Sequence, residues 1–150
     1  MTLSLEFIAG LITGEGSFCI AVNRRRHDKT RIYPIFSMFM SDRVTIELVA
    51  ESLKAHGLPV YVMERPKAAR DQVGIHINGM KRSRRYCETF IPYLTGQKKR
   101  AAELVLEFIN DRENDRAVQG RTVPYSERQK EIVTELRSVN GNTNGRKNPL

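Results

Sequence analysis

One carboxylate, Glu15, stands between two glycines just after an apolar run, in LSLEFIAGLITGEGSF from Leu3 to Phe18. If the run is a helix, Glu15 lies at its C-terminal end, where unpaired carbonyls and the negative end of the dipole collect. A carboxylate there is unfavourable unless a cation offsets it. The Glu15 carboxylate and the Gly14 carbonyl are hard oxygen ligands suited to Mg²⁺ or a similar divalent ion such as Mn²⁺. Gly10 and Gly14 are four residues apart, with Ala9 beside them, a spacing that lets two helix backbones approach closely. Two copies packed that way bring two Glu15 carboxylates together and strengthen the need for metal. Paired metals suit phosphodiester cleavage, by activating water and stabilising the leaving oxygen. The plain alternative is a polar residue in a glycine-rich helix-to-strand turn.

The flanking chain must position this group. Residues 3 to 14 are apolar nearly all round from Phe7 to Ile12, so the helix is expected to be buried on every side, with Gly16 as its C-cap. Residues 17 to 24 alternate, with Phe18, Ile20 and Val22 on one side, which predicts a strand with one buried face. A second strand is expected from Arg31 to Met40, with Ile32, Phe36, Met38 and Met40 sharing a face. Pro34 places its first half at an edge or irregular position. Ser41 or Asp42 N-caps a helix to Gly57 with Val44, Leu48, Val49 and Leu53 inward. Strands follow near 60 to 65 and 72 to 78, the latter with Val73, Ile75 and Ile77 inward. Helices are expected near 82 to 91 and 97 to 112, then a polar connection from Asn114 to Pro124. Ser126 and Gln129 form a capping box for a last helix, which Asn140-Gly141 ends. Residues 3 to 141 therefore read as one domain, and 142 to 150 as a disordered tail. The order of elements predicts an α+β domain with two hairpins in one antiparallel sheet, helices on one face and the other face free.

Charge is concentrated on those hairpins. The chain has 150 residues with 25 Lys+Arg against 17 Asp+Glu, a net charge of +8. Residues 17 to 40 and 60 to 86 together hold twelve basic and three acidic residues, a net +9 that leaves −1 elsewhere. An ordinary solvated surface mixes its signs. Basic clusters on two-stranded ribbons point to nucleic acid, and such ribbons fit the major groove of B-DNA. The outward candidates for groove contact are Arg24, Arg26, Arg31, Tyr33, Arg65, Lys67, Arg70, Gln72, His76 and Asn78. Arg pairs naturally with guanine, and Gln or Asn with adenine, although any of them contacts phosphate equally well. His76 has no second ligand spaced for it and is grouped with the DNA contacts. Arg82, Arg84 and Arg85 read as phosphate contacts or as a solvated face. Two cysteines, Cys19 and Cys87, are too few for a disulfide or zinc framework. No run approaches a membrane span and no secretory signal is seen, so an intracellular protein without a membrane partner is expected.

The stretch IAGLITGEGSF, Ile8 to Phe18, resembles the motif of LAGLIDADG homing endonucleases through Ala9-Gly10-Leu11-Ile12 and Gly14-Glu15-Gly16. The resemblance extends to the αββαββα order, to YLTGQKKRAAELVLEFI from Tyr93, and to PYSERQKEIVTELRSVNG at the end. It implies that fold, with a four-stranded DNA-binding sheet and additional C-terminal helices. It implies Glu15 as the metal-binding acid, with Thr13 in place of the motif's first acid. It implies Lys98 near the scissile phosphate, with Lys99 as the alternative and a solvated charge run as the plain reading. At Asp42 it implies a residue that positions water, a role compatible with N-capping. A single motif implies half an active site and hence a homodimer packed through Phe7, Gly10, Leu11 and Gly14. The implied activity is a staggered double-strand cut with 3′ overhangs, made across the minor groove of a long, near-palindromic DNA target, by an enzyme encoded within an intron or an intein, the small size favouring an intron. A chain of this length is about 40 Å across, or 11 to 12 bp of B-DNA per subunit. Two other classes stand beside this reading: a non-cleaving relative such as a maturase or regulator, and an unrelated basic RNA-binding protein stacking bases on Tyr33 and Tyr61.

Overall fold

The computed structural model describes residues 1–24, 30–66, 71–120 and 123–141. Helix α1 (Leu5–Glu15) runs directly into strand β1 (Gly16–Arg24). Strand β2 (Thr30–Met40), helix α2 (Arg43–Ala55) and strands β3 (Val62–Arg65) and β4 (Gln72–Asn78) follow. Helix α3 (Met80–Phe90), a 3₁₀ turn (Ile91–Tyr93), α4 (Gly96–Gln119) and α5 (Glu127–Val139) complete the chain. The strands form one antiparallel sheet in the order β1-β2-β4-β3. The expected α+β order is present. The 142 to 150 tail lies outside the described residues.

The period-two pattern acts as expected. Phe18, Ile20 and Val22 of β1, Ile32, Phe36 and Met38 of β2, and Val73, Ile75 and Ile77 of β4 are buried on one face. The helices cover that face. An aromatic row runs through the core, from Phe18 to Phe36 (5.0 Å between centroids), to Tyr86 (4.6 Å) and to Phe90 (6.1 Å). The Tyr86 hydroxyl donates to the Pro59 carbonyl at 2.7 Å, which satisfies its polar end in the interior. Pro34 sits in β2 opposite Ile20, where β4 has already ended, so its missing N–H breaks no ladder bond.

Several expectations change. Helix α1 is not buried all round: Ile8, Ala9 and Ile12 are buried, whereas Phe7 is 55% exposed and Gly10 and Gly14 are exposed. On α2, Val44 faces solvent, Leu48 is half-buried, and Ile46, Val49, Ala50 and Leu53 form the inner face. Helix α4 continues to Gln119, well past Arg112. Its last turns lack an apolar stripe and are held by polar contacts instead. Glu113 pairs with Arg84, and Asp111 and Asp115 both accept from Gln129 Nε2 at 3.0 and 2.7 Å. Gly120, with φ +87°, ends the helix. The Ser126–Gln129 capping box forms as expected.

Candidate active site and nucleic-acid face

The turn from α1 to β1 has no linker, and Gly16 makes that possible. A Cβ on Gly16 would lie 2.7 Å from Ile12 Cγ2 and 2.9 Å from the Ile12 Cα and carbonyl oxygen. Its N–H bonds to the Ile12 carbonyl, closing the helix. Glu15 is thus the last helical residue, exposed at the C-terminal end. The helix carries no basic residue in its last turn to offset the dipole there. The compensating cation comes from another element. Lys98, in the first turn of α4, donates from Nζ to the Gly16 carbonyl. Lys99 is exposed, so the geometry distinguishes the two lysines. Thr13 turns its hydroxyl inward to the Ala9 carbonyl at 3.0 Å.

The donor set suits a hard divalent cation. Glu15 offers an exposed carboxylate and Gly14 a main-chain carbonyl at the helix end, where carbonyls lack helical partners. Among the described residues no cluster of three or more His, Cys, Asp or Glu could hold a metal. Glu15 and Gly14 together offer one carboxylate and one main-chain carbonyl. That suits Mg²⁺, which keeps several waters and takes one or two carboxylates together with substrate phosphates.

Asp42 caps α2. Its carboxylate accepts from the Thr45 N–H at 3.2 Å and from the Thr45 hydroxyl at 2.6 Å. These bonds hold the carboxyl below the usual aspartate range. Its contacts do not join it to Glu15 or Lys98.

The exposed stripe of α1 comprises Phe7, Gly10, Leu11 and Gly14, with Leu11 half-buried. A Cβ on Gly10 or Gly14 would meet nothing within 4 Å. Glycine inside a helix costs about 0.5–1 kcal/mol relative to alanine. None of the described residues requires that cost at these two positions.

The face of the sheet away from the helices gathers the basic and polar candidates. Arg31 and Tyr33 on β2, Gln72, His76 and Asn78 on β4, and Arg65 on β3 share it. Arg65 stands opposite Gln72, His76 opposite Ser37, and Asn78 opposite Ile35. Each arginine rests on an aromatic ring: Arg31 over Tyr33 at 5.4 Å and Arg65 over Phe39 at 3.5 Å. Arg82, at the start of α3, lies 4.6 Å over Tyr61. Burial, and secondarily the Arg65 charge, lower the His76 pKa, and its Nδ1 is buried without a hydrogen bond. Arg24 pairs its backbone with Thr30 at the end of the hairpin, while Arg26, Lys67 and Arg70 lie outside the described residues.

Two arginines leave the interface set. Arg84 pairs with Glu113, and Arg85 donates to the Gly57 carbonyl, so both tie elements of the fold together. Phe39 joins the face unforeseen. It belongs to the outward set of β2, yet only 9% of it is exposed, because Arg65 covers it. Gly74 opposite makes room, since a Cβ there would lie 2.4 Å from Phe39 Cδ1. The sequence signal was an aromatic residue facing a glycine across two strands.

The architecture and the α1–β1 junction define the fold of the LAGLIDADG homing endonucleases. Among solved structures, the chain is similar to the homing endonuclease I-CvuI in complex with the I-CreI target in the presence of 2 mM Mg, with the DNA not cleaved. That match has a TM-score of 0.67 and 18% identity, over 97% of this chain and 85% of the other. It is similar to the archaeal intron-encoded homing endonuclease I-Vdi141I complexed with DNA, with a TM-score of 0.69 and 20% identity, over 90% and 82%. It also matches the LAGLIDADG homing endonuclease I-GzeII in complex with its DNA target, with a TM-score of 0.61 and 21% identity. There it covers 92% of this chain but only 44% of the other. No family model and no curated protein matches the sequence. At these identities the likeness establishes the fold.

Proposed function

We propose that this chain is one half of a divalent-metal-dependent DNA endonuclease. As a homodimer it makes a staggered double-strand cut, with 3′ overhangs, in a long, near-palindromic site. One observation carries the reading: the Lys98 ammonium donates to the carbonyl of Gly16, the residue that follows the exposed Glu15, where α1 ends and β1 begins. A structural carboxylate would gain nothing from an exposed position at the negative end of a helix. The neighbours I-CvuI, I-Vdi141I and I-GzeII were each solved with DNA, and I-CvuI in the presence of Mg or Ca, which supports the same substrate and cofactor class.

In this reading Glu15 and the Gly14 carbonyl hold the cation. When bound, it supplies charge stabilisation for phosphodiester hydrolysis. Lys98, fixed by the Gly16 carbonyl, presents its remaining N–H donors to the scissile phosphate, where negative charge grows during the reaction. Asp42 keeps its water-positioning assignment from the resemblance alone. The free stripe of α1 packs on its counterpart in a second copy and brings the second Glu15 to the site. The sheet face lies in the major groove, with Arg31, Tyr33, Arg65, Gln72, His76 and Asn78 against phosphates and base edges.

The test is a cleavage selection on a randomised duplex pool, with Mg²⁺ and with EDTA, followed by mapping of the cut ends. The reading expects Mg²⁺-dependent cutting of a long two-fold related site with 3′ overhangs. A chain that binds duplex DNA and never cuts it would establish a non-cleaving regulator instead.

A further inference from the structure

Beyond Pro34 the β1–β2 hairpin loses the support of the rest of the sheet. β4 pairs with β2 from Ile35 to Met40, so among the described residues the outer half of β2 has a strand partner on the β1 side alone. At Pro34 the free edge is taken up by α3: the Pro34 carbonyl accepts from the Gly79 N–H and the Ser83 hydroxyl. At Ile32 a single side chain replaces the missing strand. The Tyr125 hydroxyl accepts the Ile32 N–H at 3.0 Å and donates to the Ile32 carbonyl at 3.3 Å.

Tyr125 is itself held firmly. Its ring stacks on Phe108 at 6.5 Å, with 19° between planes, and carries the Arg112 guanidinium 4.1 Å above it. Arg112 is 4% exposed. Its two terminal nitrogens donate to the Pro124 carbonyl at 3.1 Å and the Val123 carbonyl at 2.7 Å. A planar guanidinium therefore fixes the backbone just before Tyr125 while packing on its ring. The chain of contacts runs from α4 through Arg112 and Tyr125 to Ile32.

Ile32 stands between Arg31 and Tyr33, which point to the opposite face. We propose that Tyr125 is a positioning residue for DNA recognition. It holds the outer half of the hairpin rigid, so that Arg31 and Tyr33 meet the outer base pairs of each half-site in a fixed register. This inference rests on the endonuclease reading above. The position along the target follows from the register. Ile32 is six residues from Met38, which pairs with Gly16 beside Glu15. At about 3.3 Å per residue this is about 20 Å from the cutting end, or roughly 6 bp out.

The variant is Tyr125→Phe, which removes one oxygen and keeps the ring packing. Ile132→Val, a trimming of the buried α5 core, is the control for a general loss of stability. Amide hydrogen exchange is measured on the DNA-free proteins. Cleavage of the duplex selected by the unmodified protein is then profiled base by base. Tyr125→Phe should speed exchange at Ile32. It should also relax base preference about 6 bp from the cut by about fivefold or more, the low end of one base-reading contact. Preference near the cut, and the cleavage rate at saturating selected duplex, should stay unchanged. Ile132→Val should leave the outer preference intact. Unchanged exchange at Ile32 overturns the brace. Faster exchange with an unchanged outer preference, or equal losses at all positions, overturns the positioning role. Failure of the unmodified protein to select or cut any duplex is a separate result, which removes the endonuclease reading and this inference with it.

Discussion

The Lys98 ammonium donates to the carbonyl of Gly16, the residue next to Glu15. A cation delivered there by α4 serves a helix end that has none of its own, and in the proposed reading it faces the phosphate bound beside Glu15. Lys98→Met is expected to lower the cleavage rate at saturating DNA by about 10²–10³-fold with little change in binding. Lys99→Met should cut at close to the unmodified rate. Single-turnover cleavage of the selected duplex checks both, and equal losses for the two variants would return the lysines to a solvated charge run.

Gly10 predicts the assembly. Among the described residues its Cβ would meet no atom within 4 Å, so Gly10→Ala should leave the subunit folded and more stable by about 0.5–1 kcal/mol from helix propensity. Gly10→Leu should shift light scattering towards the monomer and abolish double-strand cutting. A dimer undisturbed by Gly10→Leu would mean that the α1 stripe is not the contact.

Arg65 lies with its guanidinium carbon 3.5 Å from the centre of the Phe39 ring, which itself fills the space that Gly74 leaves open. An arginine held flat in this way presents its fork to the O6 and N7 of a guanine. Arg65→Ala should cost about 1–3 kcal/mol of discrimination at one base pair. Phe39→Leu should weaken the same preference while keeping the charge. Arg65 pairs with Gln72, opposite the β2 end that leads to Asp42, so the position affected should lie close to the cut. A uniform loss across all sequences would identify a phosphate contact instead.

The Asp42–Thr45 cap gives a pH dependence with a fixed sign. The folded carboxyl titrates below its usual value, chiefly through the Thr45 hydroxyl and N–H. Its contribution is therefore present above the unfolded pKa of about 3.9 and is lost as pH falls through the lower folded value. The difference in Tm between the unmodified protein and Asp42→Ala should be constant near neutrality and shrink below pH 4. A difference that persisted into strong acid would show that the ionised cap is not its source.

Much of this was legible in the residues. The α1–β1 junction followed from a carboxylate between glycines, and the inward sets of β1 and β4 from strict alternation. What escaped depended on partners distant in the chain. Arg84 and Arg85 look like interface charges until Glu113 and the Gly57 carbonyl come beside them. The last turns of α4 have polar periodicity only, because Arg112 and the Asp111–Asp115 pair bond to later elements. Phe7 sits in an apolar run expected to be buried on every side, and hydropathy does not show which side of that run the chain itself leaves exposed. The sequence favours Lys98 over Lys99 by resemblance alone, and the path of α4 past Gly16 gives the two lysines different surroundings.

The central claim is that the exposed Glu15 carboxylate, and not the basic face alone, makes this chain an enzyme. Its most direct test is Glu15→Gln on the selected duplex, with binding and Mg²⁺-dependent cleavage measured side by side. Glutamine keeps the shape and removes the charge. The account predicts binding within a few-fold of the unmodified protein and no detectable cutting. Cutting by Glu15→Gln at a comparable rate would contradict it.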